Sequence, residues 1–231
     1  MKYILGIQTA EFPNEIVLIK GDSSLIESVP FNERDKTVEK LGDTLKGIVD
    51  KAKIEVEGID LVTVCLGPGS YTGTRGGLAF AKGLCQFSNI PLIGVSTFEV
   101  LRENILSNEN VENVCYLLDA KNERVFYIES SKGKNEKAIE TDYLANILEK
   151  IREKCAFIGS GAVEYKEIIK DKLKDKARFV EGKFSKLSAE SVARAGIRLY
   201  KKDSSIYSKG YLYKILPLYI LPPSITKSKS K

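Results

Sequence analysis

Leu66–Leu84, LGPGSYTGTRGGLAFAKGL, is the stretch from which the rest of the chain can be read. The β-branched run Leu61-Val62-Thr63-Val64 leads into it as a buried strand. Gly67, Pro68 and Gly69 then force a tight turn, and Ser70 or Thr72 supplies a cap for the helix that follows. A strand, a glycine turn and a helix N-terminus in succession aim backbone N–H groups along a helix dipole, which suits an anion. Gly67, Gly69, Ser70, Thr72 and Gly73 are therefore candidate anion- or nucleotide-binding positions. Tight packing of strand on helix is the competing reason for the same glycines, and no Gly-Lys-Ser/Thr closes the turn as in a P-loop.

The helix is rich in a residue that weakens helices. Gly76, Gly77 and Gly83 lie in its interior, and each costs about 0.5–1 kcal/mol relative to Ala. At about 100° per residue, Gly73, Gly76, Gly77 and Gly83 share one side with Phe80, Leu84 and Phe87. Arg75, Leu78, Ala79, Lys82 and Gln86 fall opposite. The glycine side reads as a face packed against another backbone, and the opposite side as a docking face for a partner.

Composition narrows the chemistry. The 231 residues contain no histidine, which removes Ser-His and Cys-His catalysis and histidine-based zinc or iron sites together. A carboxylate-only magnesium site or a nucleotide site remains open. Cys65, Cys85, Cys115 and Cys155 are far apart in sequence, form no CxxC pair and read as buried free thiols. With 43% hydrophobic and 29% charged residues, the chain is an ordinary globular one, long enough for a bilobal core. It has no run of about 18 apolar residues and no signal-peptide pattern at its start, so a cytosolic location is expected. The net charge of +5 is modest. Part of it sits at Lys227, Lys229 and Lys231, and it fits a solvated surface better than a polyanion site.

Taken in order, Lys2–Thr9, Glu15–Lys20 and Ser24–Val29 read as three antiparallel strands, with a turn at Gly21-Asp22. Val38, Leu41, Leu45, Ile48, Val49 and Ala52 predict an amphipathic helix from about Lys36 to Ala52. The glycine-turn unit follows, then a strand at Pro91–Ser96 and a short helix capped by Thr97. The second half repeats this theme. Val114–Leu118 and Val125–Ile128 are strands, and Leu144, Ile147, Leu148 and Ile151 mark a helix. Cys155–Ile158 runs into Gly159-Ser160-Gly161, a fainter copy of the first glycine turn. A helix at Tyr165–Leu173, a short strand at Ala177–Val180 and a helix from Ser188 to Tyr200 complete it. Two such copies predict an α/β fold with mixed sheets in two lobes, 1–103 and 104–231, and an extended tail after Pro217.

GPGSYTGTRGGLAFAKGL followed by IPLIGVSTFEVL resembles the TsaB (YeaZ) family at Gly67–Gly73, Arg75, Ala79 and Ala81–Leu84. LLDAKNERVFYI is similar to a family hairpin at Asp119, Ala120 and Tyr127. PLYILPPSIT is similar to the family's close at Pro217, Tyr219 and Pro222. The resemblance implies an actin-like fold of the sugar-kinase and Hsp70 type, with two ribonuclease H-like lobes. It implies a non-catalytic subunit that pairs with TsaD, the metal-bearing subunit that transfers threonylcarbamoyl to adenosine 37 of ANN-reading tRNAs. TsaE, an ATPase, joins them, and tRNA is reached through the complex. No metal or cofactor is then expected in this chain; ADP or ATP at the complex interface and a homodimer in the partner's absence stay open. The partner contact would use the helices near Lys36–Ala52 and Thr72–Phe87, with Arg75, Leu78, Ala79, Lys82 and Gln86 facing the partner.

The chain departs from the family pattern at identifiable positions. Its first strand reads Gly6-Ile7-Gln8-Thr9 where the family has an Asp, and Gln8 supplies no charged oxygen to a metal. Arg34, Asp35 and Lys36 occupy the region of a frequent family histidine. Thr74 and Gly76 replace larger aliphatic residues. An independent nucleotide-dependent kinase or ATPase of the same fold is the alternative reading. A glycoprotease, a label attached to relatives, would need an activated nucleophile or metal-bound water that this chain has no histidine to supply. Asp119 reads as a turn residue.

Overall fold

The computed structural model describes residues 1–21, 24–31, 37–106, 112–131, 138–204 and 211–220. Asp22, Arg34–Lys36, Pro222-Pro223, Lys227, Lys229 and Lys231 lie outside the described residues.

The first half runs β1 (Tyr3–Gln8), β2 (Asn14–Lys20), β3 (Leu25–Phe31), α1 (Thr37–Ala52), β4 (Leu61–Cys65), α2 (Tyr71–Ser88), β5 (Leu92–Val95) and α3 (Thr97–Leu106). The second half runs β6 (Asn113–Asp119), β7 (Arg124–Ser131), β8 (Glu140–Tyr143), α4 (Leu144–Lys150), β9 (Cys155–Ile158), α5 (Ser160–Glu164), α6 (Lys166–Leu173), β10 (Ala177–Phe179) and α7 (Ala189–Lys202). The first sheet has the order β3-β2-β1-β4-β5 and the second β10-β9-β6-β7-β8. Matching β6 to β1 and β9 to β4, the two orders are the same. In both, the first three strands are antiparallel and the last two join parallel.

Both sheets are covered on both faces, so their central strands are almost wholly apolar. Leu5, Ile7, Val62 and Val64 face one way, against Leu41, Leu45, Ile48 and Val49 of α1 and Leu78, Ala81 and Cys85 of α2. Ile4, Leu61 and Cys65 face the other way, into a core with α3 and α7 that also takes Val114, Tyr116 and Leu118 of the second sheet. Cys115 and Leu117 of that sheet turn outward to α4 and α6. The strand period of two thus sorts side chains into three cores, and α3 and α7 form one layer between the sheets.

The last helix lies on the first sheet. Its Ser188 cap accepts from Ser191 N–H, and Glu15 of β2 accepts from Ala189 N–H at 2.6 Å, a carboxylate at a helix N-terminus. A Cβ on Gly196 would sit 2.2 Å from Thr63 Cγ2, and one on Gly6 2.3 Å from Ala189 O. The two glycines permit that approach.

Two local readings change. β8 is not among the strands expected from the sequence; as a polar edge strand, Glu-Thr-Asp-Tyr lacks the apolar alternation that marks one. α3 is capped by Ser96 in a capping box with Glu99: Ser96 Oγ accepts from Glu99 N–H, and the Glu99 carboxylate accepts from Ser96 N–H. Thr97, predicted as that cap, instead donates its hydroxyl to Pro68 O at 2.7 Å.

Candidate functional site

The glycine turn joins β4 to α2 and is held from several sides. Leu66 N–H bonds Val95 O and Thr97 N–H bonds Gly67 O, both at 2.8 Å. Gly67 sits at φ +89°, a conformation that favours glycine. Ser70 caps α2 by accepting from Gly73 N–H at 3.1 Å. Ser70 N–H donates to Ala10 O at 2.6 Å. Two donors that the sequence offered to an anion are thus used inside the fold, while Thr72 stands exposed on the first turn of the helix.

Gly69, Gly73 and Gly77 form one line, spaced by four. A Cβ on Gly69 would meet Ala10 O at 2.3 Å, one on Gly73 Thr9 O at 2.1 Å, and one on Gly77 Thr9 Oγ1 at 2.1 Å. These glycines let the end of β1 cross the helix backbone. Thr74, Leu78, Ala81 and Cys85 continue the same inward side.

The packing face is therefore turned from the predicted one. Leu78, assigned to the docking side, is buried at 4% exposure. Gly83, assigned to the packing side, is exposed and has nothing within 4 Å of an added Cβ. Phe87, also assigned inward, is 88% exposed. Arg75, Ala79 and Gln86 are exposed as predicted and Lys82 is half-buried. From the sequence, every helix glycine reads as a mark of contact; Gly73 and Gly77 make one and Gly83 does not.

Between the lobes, Gln8 takes the place of a first-strand carboxylate and is spent locally. Its amide donates to Glu11 O and Pro13 O and accepts from Glu11 N–H, clamping the β1–β2 loop. Glu11 on that loop meets Ser160 of the second glycine turn; burial pushes its carboxyl above the ordinary value, the Asp119 charge adds to this, and the Ser160 hydroxyl opposes it. Asp119 is more than a turn residue. It accepts from Lys121 N–H at 2.8 Å and from Tyr165 OH at 2.9 Å, and its own N–H bonds Ser160 Oγ at 3.2 Å. Burial works against its charge, but the bonds from Lys121 and Tyr165 outweigh that and hold it below the ordinary value. Nothing in the spacing of Glu11, Asp119, Ser160 and Tyr165 announces their meeting, because it depends on how the lobes face.

Burial pushes the Cys65 thiol up to about 11 and those of Cys85 and Cys155 up to about 12, so none is a thiolate near neutral pH. Among the described residues, no three His, Cys, Asp or Glu side chains are grouped to hold a metal ion. No helix among them is long and apolar enough to cross a membrane.

Comparison with known proteins agrees with this architecture. The chain is 28% identical to the tRNA threonylcarbamoyladenosine biosynthesis protein TsaB of Buchnera aphidicola subsp. Baizongia pistaciae, over 75% of this chain and 78% of that protein. It is 26% identical to TsaB of Bacillus subtilis, over 74% and 76% respectively. A Pseudomonas aeruginosa crystal structure, described as similar to the peptidase YeaZ, superposes with a TM-score of 0.74 at 17% identity, covering 96% of this chain and all of that one. The family model of TsaD, tRNA N6-adenosine threonylcarbamoyltransferase, matches residues 29–201. The chain belongs to that family, among its TsaB-type members.

Proposed function

We propose that this chain is a non-catalytic subunit that pairs with a TsaD-type subunit in threonylcarbamoyl transfer to tRNA. A TsaE-type ATPase joins the pair, and the complex works in the cytoplasm. The chain reaches tRNA through the complex. Its division into lobes falls near residue 103, with α7 returning to the first sheet.

The observation that carries this reading is the outer face of α2. Arg75, Ala79, Lys82 and Gln86 stand there beside Gly83 and Phe87, and Leu78 supports them from beneath. An exposed phenylalanine next to a helix glycine with open space above it costs stability in a lone chain and gains a purpose under a second helix. Gly42 and Gly47 of α1 are exposed and equally unobstructed. The spent amide of Gln8 and the high-lying thiols support the absence of catalysis.

Threonylcarbamoyladenosine formation in a reconstituted mixture should depend on this chain, and its TsaD-type partner should retain it in a pull-down. Ala79→Arg should leave the melting temperature unchanged and weaken that complex about a hundredfold, the ~2.7 kcal/mol that an unpaired buried charge readily costs. Normal binding by Ala79→Arg removes this face from the interface. The kinase or ATPase alternative, with a nucleotide at Gly67, Gly69, Ser70, Thr72 and Gly73, predicts submicromolar ATP or ADP binding with turnover in calorimetric titration.

A further inference from the structure

Residues 211–220 cross the outside of α2. Tyr213 exchanges hydrogen bonds with Gln86 near the end of that helix. Ile215 is buried in the core beneath, and Leu218 N–H bonds Leu66 O at 2.8 Å. Tyr219 then packs on Tyr71 at the start of the helix, ring centroids 5.3 Å apart. From Tyr71 to Gln86 a helix rises about 22 Å at ~1.5 Å per residue. The segment opens with a turn, in which Lys214 and Ile215 N–H both bond Tyr211 O at 2.9 and 3.3 Å, and runs on to Tyr219 without regular structure. The segment is a strap fastened to the helix unit at both ends and the middle.

What the strap turns outward is apolar. Tyr213, Leu216, Leu218 and Tyr219 are 72%, 68%, 36% and 50% exposed. With Tyr71 and Phe87 of α2 they make up half of the large exposed apolar side chains among the described residues. The cluster is also preorganised: Arg75 stacks over the Tyr71 ring at 5.1 Å and donates to its hydroxyl at 3.1 Å, while Tyr219 holds that same ring. Exposed tyrosines and an arginine locked in one arrangement are the groups that anchor protein interfaces.

The charge here has one sign. No Asp or Glu occurs between Asp60 and Glu99, nor after Asp203, while Arg75, Lys82 and Lys214 lie on the two segments. We infer that the strap and the outer face of α2 form one docking surface for a partner protein whose contact surface is apolar and edged by carboxylates. Two copies of this chain meeting there would set the same cations against one another. The inference rests on the partner reading above and enlarges its surface.

The test compares strap variants with Ala79→Arg for affinity to the TsaD-type subunit, by calorimetry at low and moderate salt, with melting temperatures as the folding control. Leu216→Asp, at a position 68% exposed, should weaken binding at least tenfold with unchanged melting. Lys214→Glu should weaken it more than Lys214→Ala, and the gap should shrink as salt rises. Wild-type affinity in the strap variants, with binding lost in Ala79→Arg, overturns the inference and leaves the partner reading standing. Wild-type affinity in all of them overturns both. If Leu216→Asp dissolves a homodimer, or abolishes retention of tRNA, while subunit binding stays intact, the surface belongs to a second copy or to RNA and the inference falls.

Discussion

The two halves of the molecule share a strand order and part company after their fourth strands. In the first, β4 runs through a turn tied by several hydrogen bonds into an 18-residue helix, capped by Ser70 and pressed along Gly69, Gly73 and Gly77 against the end of β1. In the second, β9 enters a five-residue helix with no side-chain cap, and Tyr165 breaks the path before α6 begins. The break brings the Tyr165 hydroxyl back to Asp119. The same topology thus spends one of its glycine turns on bonds between loops and the other on projecting a long helix. A duplicated fold can keep its core while its copies diverge at this one connection.

The sharpest way to break the comparison is to spoil the packed line of α2. Gly77→Val should destabilise the chain by about 3 kcal/mol, since even its Cβ collides with the buried Thr9 side chain and the two further methyls crowd the same packed line. Equilibrium urea unfolding would show it as a lower midpoint. Next in size is the tie that α7 makes to the first sheet: Glu15→Ala removes the carboxylate that accepts from Ala189 N–H and from Ser28 at 2.5 Å, for a loss of about 2 kcal/mol. The open glycine should behave in the opposite sense to Gly77. Gly83→Ala should raise stability by about 0.5–1 kcal/mol, the ordinary helix preference, while weakening the partner complex.

The smallest effects separate the two carboxyls between the lobes by the sign of their pH dependence. Glu11 binds its proton more tightly folded than unfolded, so the native state loses stability as pH climbs from 4.5 through the raised folded value. Glu11→Gln should match wild type below pH 4.5 and exceed it above that window. Asp119 works the other way. Its contribution is present above 3.8 and lost as pH falls through the depressed folded value, so Asp119→Asn should cost stability at neutral pH and nothing in strong acid. Urea midpoints measured across pH 3–8 would show the two trends.

Much of this architecture is legible in the residues. β-Branched runs, the two glycine turns and the helical repeat of leucines and isoleucines foretell the doubled strand order, because each sheet is covered on both faces and its strands must be apolar throughout. The facing of α2 is not legible in the same way. A helical wheel fixes angles between side chains but not the direction of the sheet, and Gly73 and Gly83 look alike until Thr9 is placed beside one of them. Leu78 and Phe87 were misplaced for that reason. β8 escaped because a polar edge strand has no alternation to detect. The strap escaped because its tyrosines acquire meaning only when the chain returns to a helix about 140 residues earlier in the sequence.

The place of α7 bears on how the molecule is made. Glu15 and Ala189 are 174 residues apart, which at about 5–20 residues per second takes a ribosome roughly 9–35 s to cross. For the later part of that interval, once β5 is made, the first sheet can be roofed by α1 and α2 on one side, while its other side, with Ile4, Leu61 and Cys65, has α3 but still awaits α7. The first lobe therefore cannot finish folding as it emerges. The nascent chain passes through a long stage in which a greasy sheet face needs shelter, and the arrival of α7 sets the moment at which the native core closes.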